Sequence, residues 1–263
     1  MAEHKTILAF GGHMDDPELG CGGTLLKAAR NGHRVVCVIM AGRFHNFRSL
    51  DAHKPEELIA CNNAIMKKYG FEPKRFLDFE YMEMQEDRAG KKLFSEIIQE
   101  VRPDVVFAHT RHDRWSDHAV CGRLVEHAAM FSHLYTNTTF HRPEIYFYET
   151  SFVQVYADRF RPDVFIDVSD VFDEVIEMMA PHDEILQAHR SPDGKAPVHA
   201  EVELRLPKAC HLTLTQHGMV KFARCKVRAH EAGGDGFVEA FESMYPATGG
   251  ERVLYDLVRQ GPA

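Results

Sequence analysis

The chain has 263 residues, of which 44% are hydrophobic and 27% are charged, the composition of an ordinary globular protein. Its formal net charge of −8 argues against a general nucleic-acid-binding protein, because such a protein needs a basic surface to neutralise phosphates. The first residues do not have the charged and then apolar pattern of a signal segment. No apolar run approaches the ~18 residues of a membrane helix. We therefore expect a cytoplasmic protein that does not enter a membrane.

Strand-like and helix-like segments alternate along the first half of the chain. An apolar run at residues 6–10 predicts a buried strand, which leads into a glycine-rich loop at 11–23 and a helix at 24–32. Further strands are predicted at residues 34–40, 74–79 and 104–109, and further helices at 55–69, 94–101 and 119–131. Repeated strand–helix units are typical of an α/β protein with a mainly parallel sheet flanked by helices.

The second half of the chain is less regular. Strands are predicted at residues 144–149, 164–168 and 237–242, helices at 171–188 and 209–229, and a polar, proline-containing loop at 191–200. The composition shows no linker-like change along the chain. We therefore expect a single domain over residues 1–263, with an α/β core at 1–135 and a C-terminal elaboration at 136–263 that contributes loops on the substrate side.

The six cysteines are widely scattered, and none belongs to a Cys-x-x-Cys pair. This pattern favours reduced, packed thiols over a disulfide framework. Seventeen histidines are a high number, and imidazole is a common metal ligand and a common acid or base. We expect most of these histidines to be surface or core residues.

Two clusters of ligand-type side chains follow predicted strands. His13, Asp15 and Asp16 come after the first strand, and Asp117 and His118 come after the strand at 104–109. The carboxyl ends of parallel strands meet at one edge of a sheet, so the clusters can converge. His13, Asp16 and His118 could then bind one ion such as zinc, Asp15 could accept a proton from water, and Asp117 could orient an imidazole.

Other interpretations of these clusters remain open. The two aspartates of the first loop could cap the following helix, and Asp117 could cap the helix that starts near His118. A nucleotide site is a further alternative, because glycines precede the first helix. However, no G-x-G-x-x-G motif follows the strand, and the acidic loop would repel phosphate.

Residues 13–24 read His-Met-Asp-Asp-Pro-Glu-Leu-Gly-Cys-Gly-Gly-Thr and resemble the first motif of the LmbE-like, PIG-L-type N-acetylglucosaminyl deacetylase family, which begins His-Pro-Asp-Asp. Residues 102–118 resemble its second motif, which ends Asp-x-His-Pro-Asp-His. Residues 164–170, 189–191 and 236–241 resemble its later landmarks. The resemblance implies a Rossmann-like fold and a zinc-dependent hydrolase that removes acyl groups, usually acetyl, from amino-sugar amides.

The resemblance also implies roles for individual residues. His13, Asp16 and His118 resemble the family's metal ligands, Asp15 its general base, and Asp117 the carboxylate behind the ligands. One Zn²⁺ per chain is expected, although the same ligands accept other divalent ions such as Fe²⁺. The expected partner is a small N-acylated sugar or conjugate, and a homo-oligomer is compatible with the family.

The chain departs from the family pattern at Trp115, where the family commonly has a histidine that stabilises the oxyanion or protonates the leaving amine. Indole can donate one hydrogen bond, but it cannot shuttle a proton. His112 and His182 are the candidate replacements, and each could instead be an ordinary solvated residue. Two alternatives to sugar deacetylation follow: an amidase for another acyl-amide conjugate, or a degenerate member that binds metal and ligand without turnover.

The loop after the second strand offers a further set of candidate substrate contacts. Arg43 and Arg48, with His45 between them, lie on the same expected sheet edge as the two clusters. They could bind sugar hydroxyls or a phosphate group. A solvated loop with no contact to substrate explains the same residues.

Overall fold

The structure is a computed structural model that describes residues 4–42, 55–150, 160–179, 216–245 and 252–259. Seven strands form one sheet: β1 Thr6–Gly11, β2 Arg34–Ile39, β3 Arg75–Phe76, β4 Val105–His109, β5 Glu144–Tyr148, β6 Val164–Asp167 and β7 Val238–Ser243. The helices are α1 Asp16–Arg30, α2 Pro55–Lys68, α3 Arg88–Val101, α4 Ser116–Thr136, α5 Phe172–Met178, α6 Gln216–Glu231 and α7 Val253–Val258. None of the helices in these ranges is both long enough and apolar enough to cross a membrane.

The strand order is β3-β2-β1-β4-β5-β7-β6. The first five strands are parallel, and β7 runs antiparallel to both β5 and β6. The chain therefore winds outward from β1 in one direction and continues from β4 in the other. The direction of winding changes between the paired strands β1 and β4. In open α/β sheets, ligand sites form at the carboxyl ends of the strands at such a switch point.

Apolar side chains cover both faces of the sheet. Ile7 and Ala9 of β1 belong to one buried cluster, while Leu8 and Phe10 belong to the cluster on the opposite face. Successive side chains of a strand point to opposite faces, so a strand buried on both sides must be apolar at every position. This requirement explains the continuous apolar run at the start of the chain.

Helix α1 begins at Asp16, eight residues earlier than predicted, so the expected glycine loop is largely helical. The helix is broken at Cys21, whose φ and ψ are −139° and 17°. The freed N–H groups of Gly23 and Thr24 donate to the carboxylate of Glu239, both at 2.8 Å. The small residue at Gly20 is required by packing, because a Cβ there would lie 2.1 Å from the ring of Tyr148.

Other predicted boundaries also shift. Helix α3 starts at Arg88 rather than 94, because the side chain of Asp87 caps it by accepting from the N–H of Gly90 at 2.7 Å. Strand β3 has only two residues. Helix α4 starts at Ser116, which places the second cluster in its first turn rather than in a loop. Residues 180–215, which include the predicted 191–200 loop, lie outside the described residues.

Candidate metal centre

The loops after β1 and β4 meet at the switch point of the sheet. The two strands are neighbours, with Ala9 opposite Phe107, so their carboxyl ends lie side by side. Helix α4 approaches the end of β4 so closely that a Cβ at Gly122 would lie 2.4 Å from the carbonyl oxygen of His109. This close packing brings the first turn of α4, with Asp117 and His118, against the loop that carries His13.

His13, Asp16 and His118 each present one ligand atom to a common point, and these atoms all lie within 4.8 Å of one another. Nε2 of His118 lies 3.0 Å from Nδ1 of His13 and 3.4 Å from Oδ2 of Asp16. Nδ1 of His13 lies 3.5 Å from the same carboxylate oxygen. Two imidazole nitrogens and one carboxylate oxygen are a combination of ligands that known catalytic zinc sites use.

A second group, His109, Asp113 and His118, also has ligand atoms within 4.8 Å of one another. The rings of His109 and His118, however, are stacked with centroids 3.8 Å apart and planes only 11° apart. An ion binds along the lone pair of an imidazole nitrogen and so lies in the ring plane; two stacked rings share no such point. The planes of His13 and His118 are tilted by 54°, which allows them to converge on one ion.

The carboxylates and imidazoles of the centre shift one another's pKa values. Burial alone would favour the neutral acid of Asp16, but the imidazoles of His118, His109 and His13 hold the pKa of this carboxyl well below its usual range. Burial alone would lower the pKa of His118, but Asp16, Asp113 and Asp15 raise it to about 9. A divalent ion would satisfy the same carboxylates and displace this proton.

Carboxylates behind the centre hold the two imidazoles. Oδ2 of Asp117 accepts a hydrogen bond from Nε2 of His13 at 3.1 Å and another from the N–H of Met82 at 2.8 Å. Oδ2 of Asp113 accepts from Nδ1 of His118 at 3.0 Å. Each histidine thus turns one nitrogen inward and bonds the other to a carboxylate, as metal-binding histidines commonly do. Asp117 is next to His118 in the sequence, but the imidazole that its carboxylate orients is that of His13.

Asp15 lies at the N-cap position of α1, but its side chain makes no capping hydrogen bond. Its negative charge raises the pKa values of both His118 and Tyr81. The ring of Tyr81 packs on His13 with centroids 4.5 Å apart. The carboxylate of Asp15 is therefore close enough to His118 and Tyr81 to influence their ionisation, and it does not cap the helix.

A buried ion pair between Lys74 and Glu18 packs against the loop that carries Asp15. Nζ of Lys74 lies 2.6 Å from Oε1 of Glu18 and donates to the carbonyl oxygen of Met14 at 2.5 Å. Both charged side chains are almost fully buried. The pair fixes the backbone directly before Asp15 and Asp16.

His109 was missed by sequence reasoning, which treated it only as the last residue of a strand. It is fully buried, and its Nε2 lies 2.8 Å from Oδ2 of Asp16. The pattern that could have revealed it is a polar, titratable residue at the carboxyl end of an otherwise apolar strand, four residues before Asp113.

The other predicted site residues fall into two groups. Trp115 is 43% exposed and lies at the rim, with its ring 6.2 Å from that of His13 and 6.0 Å from that of His118. The side chain of His112 is exposed, and among the described residues its only hydrogen bond is from its backbone N–H to Thr110. Arg43, His45, Arg48 and His182 lie outside the described residues.

Comparisons with known proteins show which family model and which folds this chain resembles. Residues 8–129 match the family model of PIG-L, described as GlcNAc-PI de-N-acetylase. The fold is similar to that of N,N'-diacetylchitobiose deacetylase from Pyrococcus horikoshii, with a TM-score of 0.67 and 19% identity over 92% of this chain and 84% of the other.

Two further solved structures share the architecture. The conserved protein TT1542 from Thermus thermophilus is 20% identical, with a TM-score of 0.67 over 93% of this chain and 96% of the other. The 4-carboxy-2-hydroxymuconate hydratase GalB from Pseudomonas putida is 16% identical, with a TM-score of 0.68 over 94% and 99%. The predicted fold, a mainly parallel sheet flanked by helices, is confirmed.

Proposed function

We propose that the protein, whose residues 8–129 match the PIG-L family model, is a metal-dependent hydrolase that removes an acyl group, most simply acetyl, from the nitrogen of an amino sugar or glycoconjugate. The observation that carries the proposal is the convergence of His13, Asp16 and His118 at the switch point, with the charge of Asp15 beside them. These groups supply the ligands and the base that amide hydrolysis requires.

The donor set fits a divalent transition ion. Two imidazole nitrogens and one carboxylate suit Zn²⁺, and the same ligands accept Fe²⁺. When bound, such an ion polarises an amide carbonyl and makes water more acidic. His13, Asp16 and His118 would hold it, while Asp117 and Asp113 keep the two imidazoles turned inward.

Asp15 is the proposed acid and base. Its carboxylate would take a proton from the attacking water and then return it to the leaving nitrogen. Asp15 carries both transfers because Trp115 stands where the related family commonly has a histidine, and indole cannot release and regain a proton. The half-exposed ring of Trp115 instead offers a flat apolar face to the C–H face of a sugar.

The substrate class is tested by incubating zinc-reconstituted protein with a panel of N-acetylated sugars and amide conjugates and measuring primary-amine release. We expect release from at least one sugar and about one metal ion per chain by elemental analysis. Protein that takes up no metal after reconstitution would contradict the hydrolase assignment. Sugar binding without amine release would instead support a degenerate member of the family that has lost turnover because Trp115 stands in place of the usual histidine.

Two isosteric variants test the division of roles. Asp15→Asn should keep its metal and lose amine release by about 10²-fold or more, the usual contribution of a general base. Asp16→Asn should instead lose metal. Asp256→Asn, at an exposed position, is the control and should change neither quantity. Loss of metal in Asp15→Asn would make Asp15 a ligand and overturn its role as base.

A further inference from the structure

His109 contacts two of the three proposed metal ligands. Its Nε2 lies 2.8 Å from Oδ2 of Asp16, and its ring stacks on that of His118 at 3.8 Å. It is the last residue of β4 and is completely buried. The stacking geometry prevents it from sharing an ion with His118.

The direction of the hydrogen bond follows from its partner. Two groups compete for Nε2 of His109: the backbone N–H of Gly12, which can only donate, at 3.2 Å, and the carboxylate of Asp16, which can only accept, at 2.8 Å. The shorter contact involves a charged acceptor and is the stronger of the two, so we assign the hydrogen to Nε2 and the hydrogen bond to Asp16. The other nitrogen, Nδ1, has no hydrogen-bond partner in the described part of the chain, and the nearest carboxylate oxygen of Asp113 is 4.0 Å away. Burying an unsatisfied nitrogen is unfavourable, so an apolar residue would fill this position at lower cost if packing were the only requirement.

The bonded oxygen of Asp16 is the one that faces the metal centre. The same Oδ2 accepts the backbone N–H of His13 at 2.6 Å and faces Nε2 of His118 at 3.4 Å. The hydrogen bond from His109 restrains rotation of the carboxylate. The stacked ring restrains the plane of His118, while Asp113 sets its direction within that plane. Together these contacts order two ligands from one buried side chain.

We propose that His109 is a positioning residue that holds the carboxylate of Asp16 and the ring plane of His118 in the geometry that binds the ion. The proposal rests on the metal site of the proposed function, but not on the identity of the substrate. Ligands that are already ordered lose less conformational freedom on binding, and removing such support typically weakens metal affinity by about 10- to 100-fold.

Two variants separate the two contacts. His109→Phe keeps a flat ring for stacking but removes the N–H donor, and His109→Gln keeps a donor but removes the ring. Binding of Co²⁺ is followed by its visible absorption spectrum, and Zn²⁺ affinity by competition with a chromophoric chelator. We expect His109→Phe to bind Zn²⁺ about 10- to 100-fold more weakly with a shifted Co²⁺ spectrum, and His109→Gln to recover part of that loss.

The controls distinguish this proposal from the one on which it rests. His127→Phe, at a histidine of α4 that bonds to Tyr135, should leave both metals' affinities unchanged. If the wild-type protein binds no metal, the proposed function fails. If the wild type binds metal, and His109→Phe binds it with the same affinity and spectrum, the positioning role is overturned. Complete loss of metal in both His109 variants, with unchanged thermal unfolding of the metal-free proteins, would overturn it too, because His109 would then be a ligand.

Discussion

Oδ2 of Asp117 lies 3.1 Å from Nε2 of His13, and this contact turns Nδ1 of His13 towards Asp16 and His118. The same oxygen accepts the N–H of Met82 at 2.8 Å. Met82 has a positive φ of 64°, an uncommon conformation for a residue with a side chain. The turn at Met82 therefore adds a second restraint on the carboxylate that orients His13.

Replacing Asp117 should weaken metal binding without removing a ligand. Asp117→Ala removes the acceptor for His13, and we expect about 10- to 100-fold lower Zn²⁺ affinity. Asp117→Asn retains an acceptor oxygen but not the charge, so its loss should be smaller. Chelator competition measures both values, with Asp256→Ala as the exposed control. Unchanged affinity in Asp117→Ala would show that His13 needs no such support.

The variant Trp115→His tests whether residue 115, at the rim of the site, occupies the position of a general acid. If Trp115 occupies the position from which the leaving amine is protonated, an imidazole there should raise amine release about ten-fold or more, because a positioned general acid contributes about 10² to 10⁴. The pH profile of kcat/KM should gain an ionisation near the usual histidine range. Trp115→Phe keeps an aromatic face but has neither an N–H donor nor an ionisable group, so it should not gain this ionisation. An identical pH profile for Trp115→His and wild type would place Trp115 outside the reaction centre.

The parts of the site that could be predicted depend on local rules. His13, Asp16 and His118 could be brought together from sequence because parallel strands end at one edge of the sheet. The role of His109 could not be predicted, because the sequence does not show which side chain of the neighbouring loop faces the end of β4. The sequence also could not show which imidazole Asp117 contacts, because its partner His13 is 104 residues away along the chain.

Long-range contacts also explain the differences in the fold. Glycines at residues 20–23 favour a loop locally, but Glu239 bonds to Gly23 from 216 residues away and stabilises a broken helix instead. The insertion of β7 between β5 and β6 likewise depends on tertiary pairing. The single-domain arrangement, the cytoplasmic location, the identity of the metal and a homo-oligomeric state stay predictions.

The stability of the metal-free protein should depend on pH through His118. Asp16, Asp113 and Asp15 raise the pKa of His118 to about 9 in the folded state, from about 6.5 in an unfolded chain. A raised pKa adds stability that is fully present below about pH 6.5 and is lost as the pH rises through about 9. The melting temperature of chelator-treated protein should therefore fall across this window.

Two comparisons identify the source of that pH dependence. His118→Asn should remove the decline, and zinc-loaded protein should not show it, because the ion replaces the proton. Each unit of pKa shift corresponds to about 1.4 kcal/mol, which is large enough to follow by calorimetry between about pH 6 and pH 9.5. A metal-free protein whose melting temperature is constant over this range would contradict the raised pKa.

The broken helix α1 provides a stability prediction that is independent of catalysis. Glu239 bonds to the N–H groups of Gly23 and Thr24 and forms a buried ion pair with Lys221. Lys221 in turn donates to the carbonyl oxygen of Leu19 at 2.9 Å, on the other side of the break. Helix α6 and strand β7 therefore satisfy both ends of the interruption.

Glu239→Gln removes the charge that balances Lys221 and leaves at least one backbone N–H of the break without its acceptor. Removing one member of a buried pair typically costs about 3–5 kcal/mol, and we expect that loss in the free energy of unfolding measured with urea. Glu177→Gln, in the exposed pair with Lys68, is the matched control and should cost at most about 1 kcal/mol. The double variant Lys221→Met with Glu239→Gln should lose less than the sum of the single variants, because the uncompensated charge is then absent. Equal losses for Glu239→Gln and Glu177→Gln would mean that the break in α1 is stable without its carboxylate.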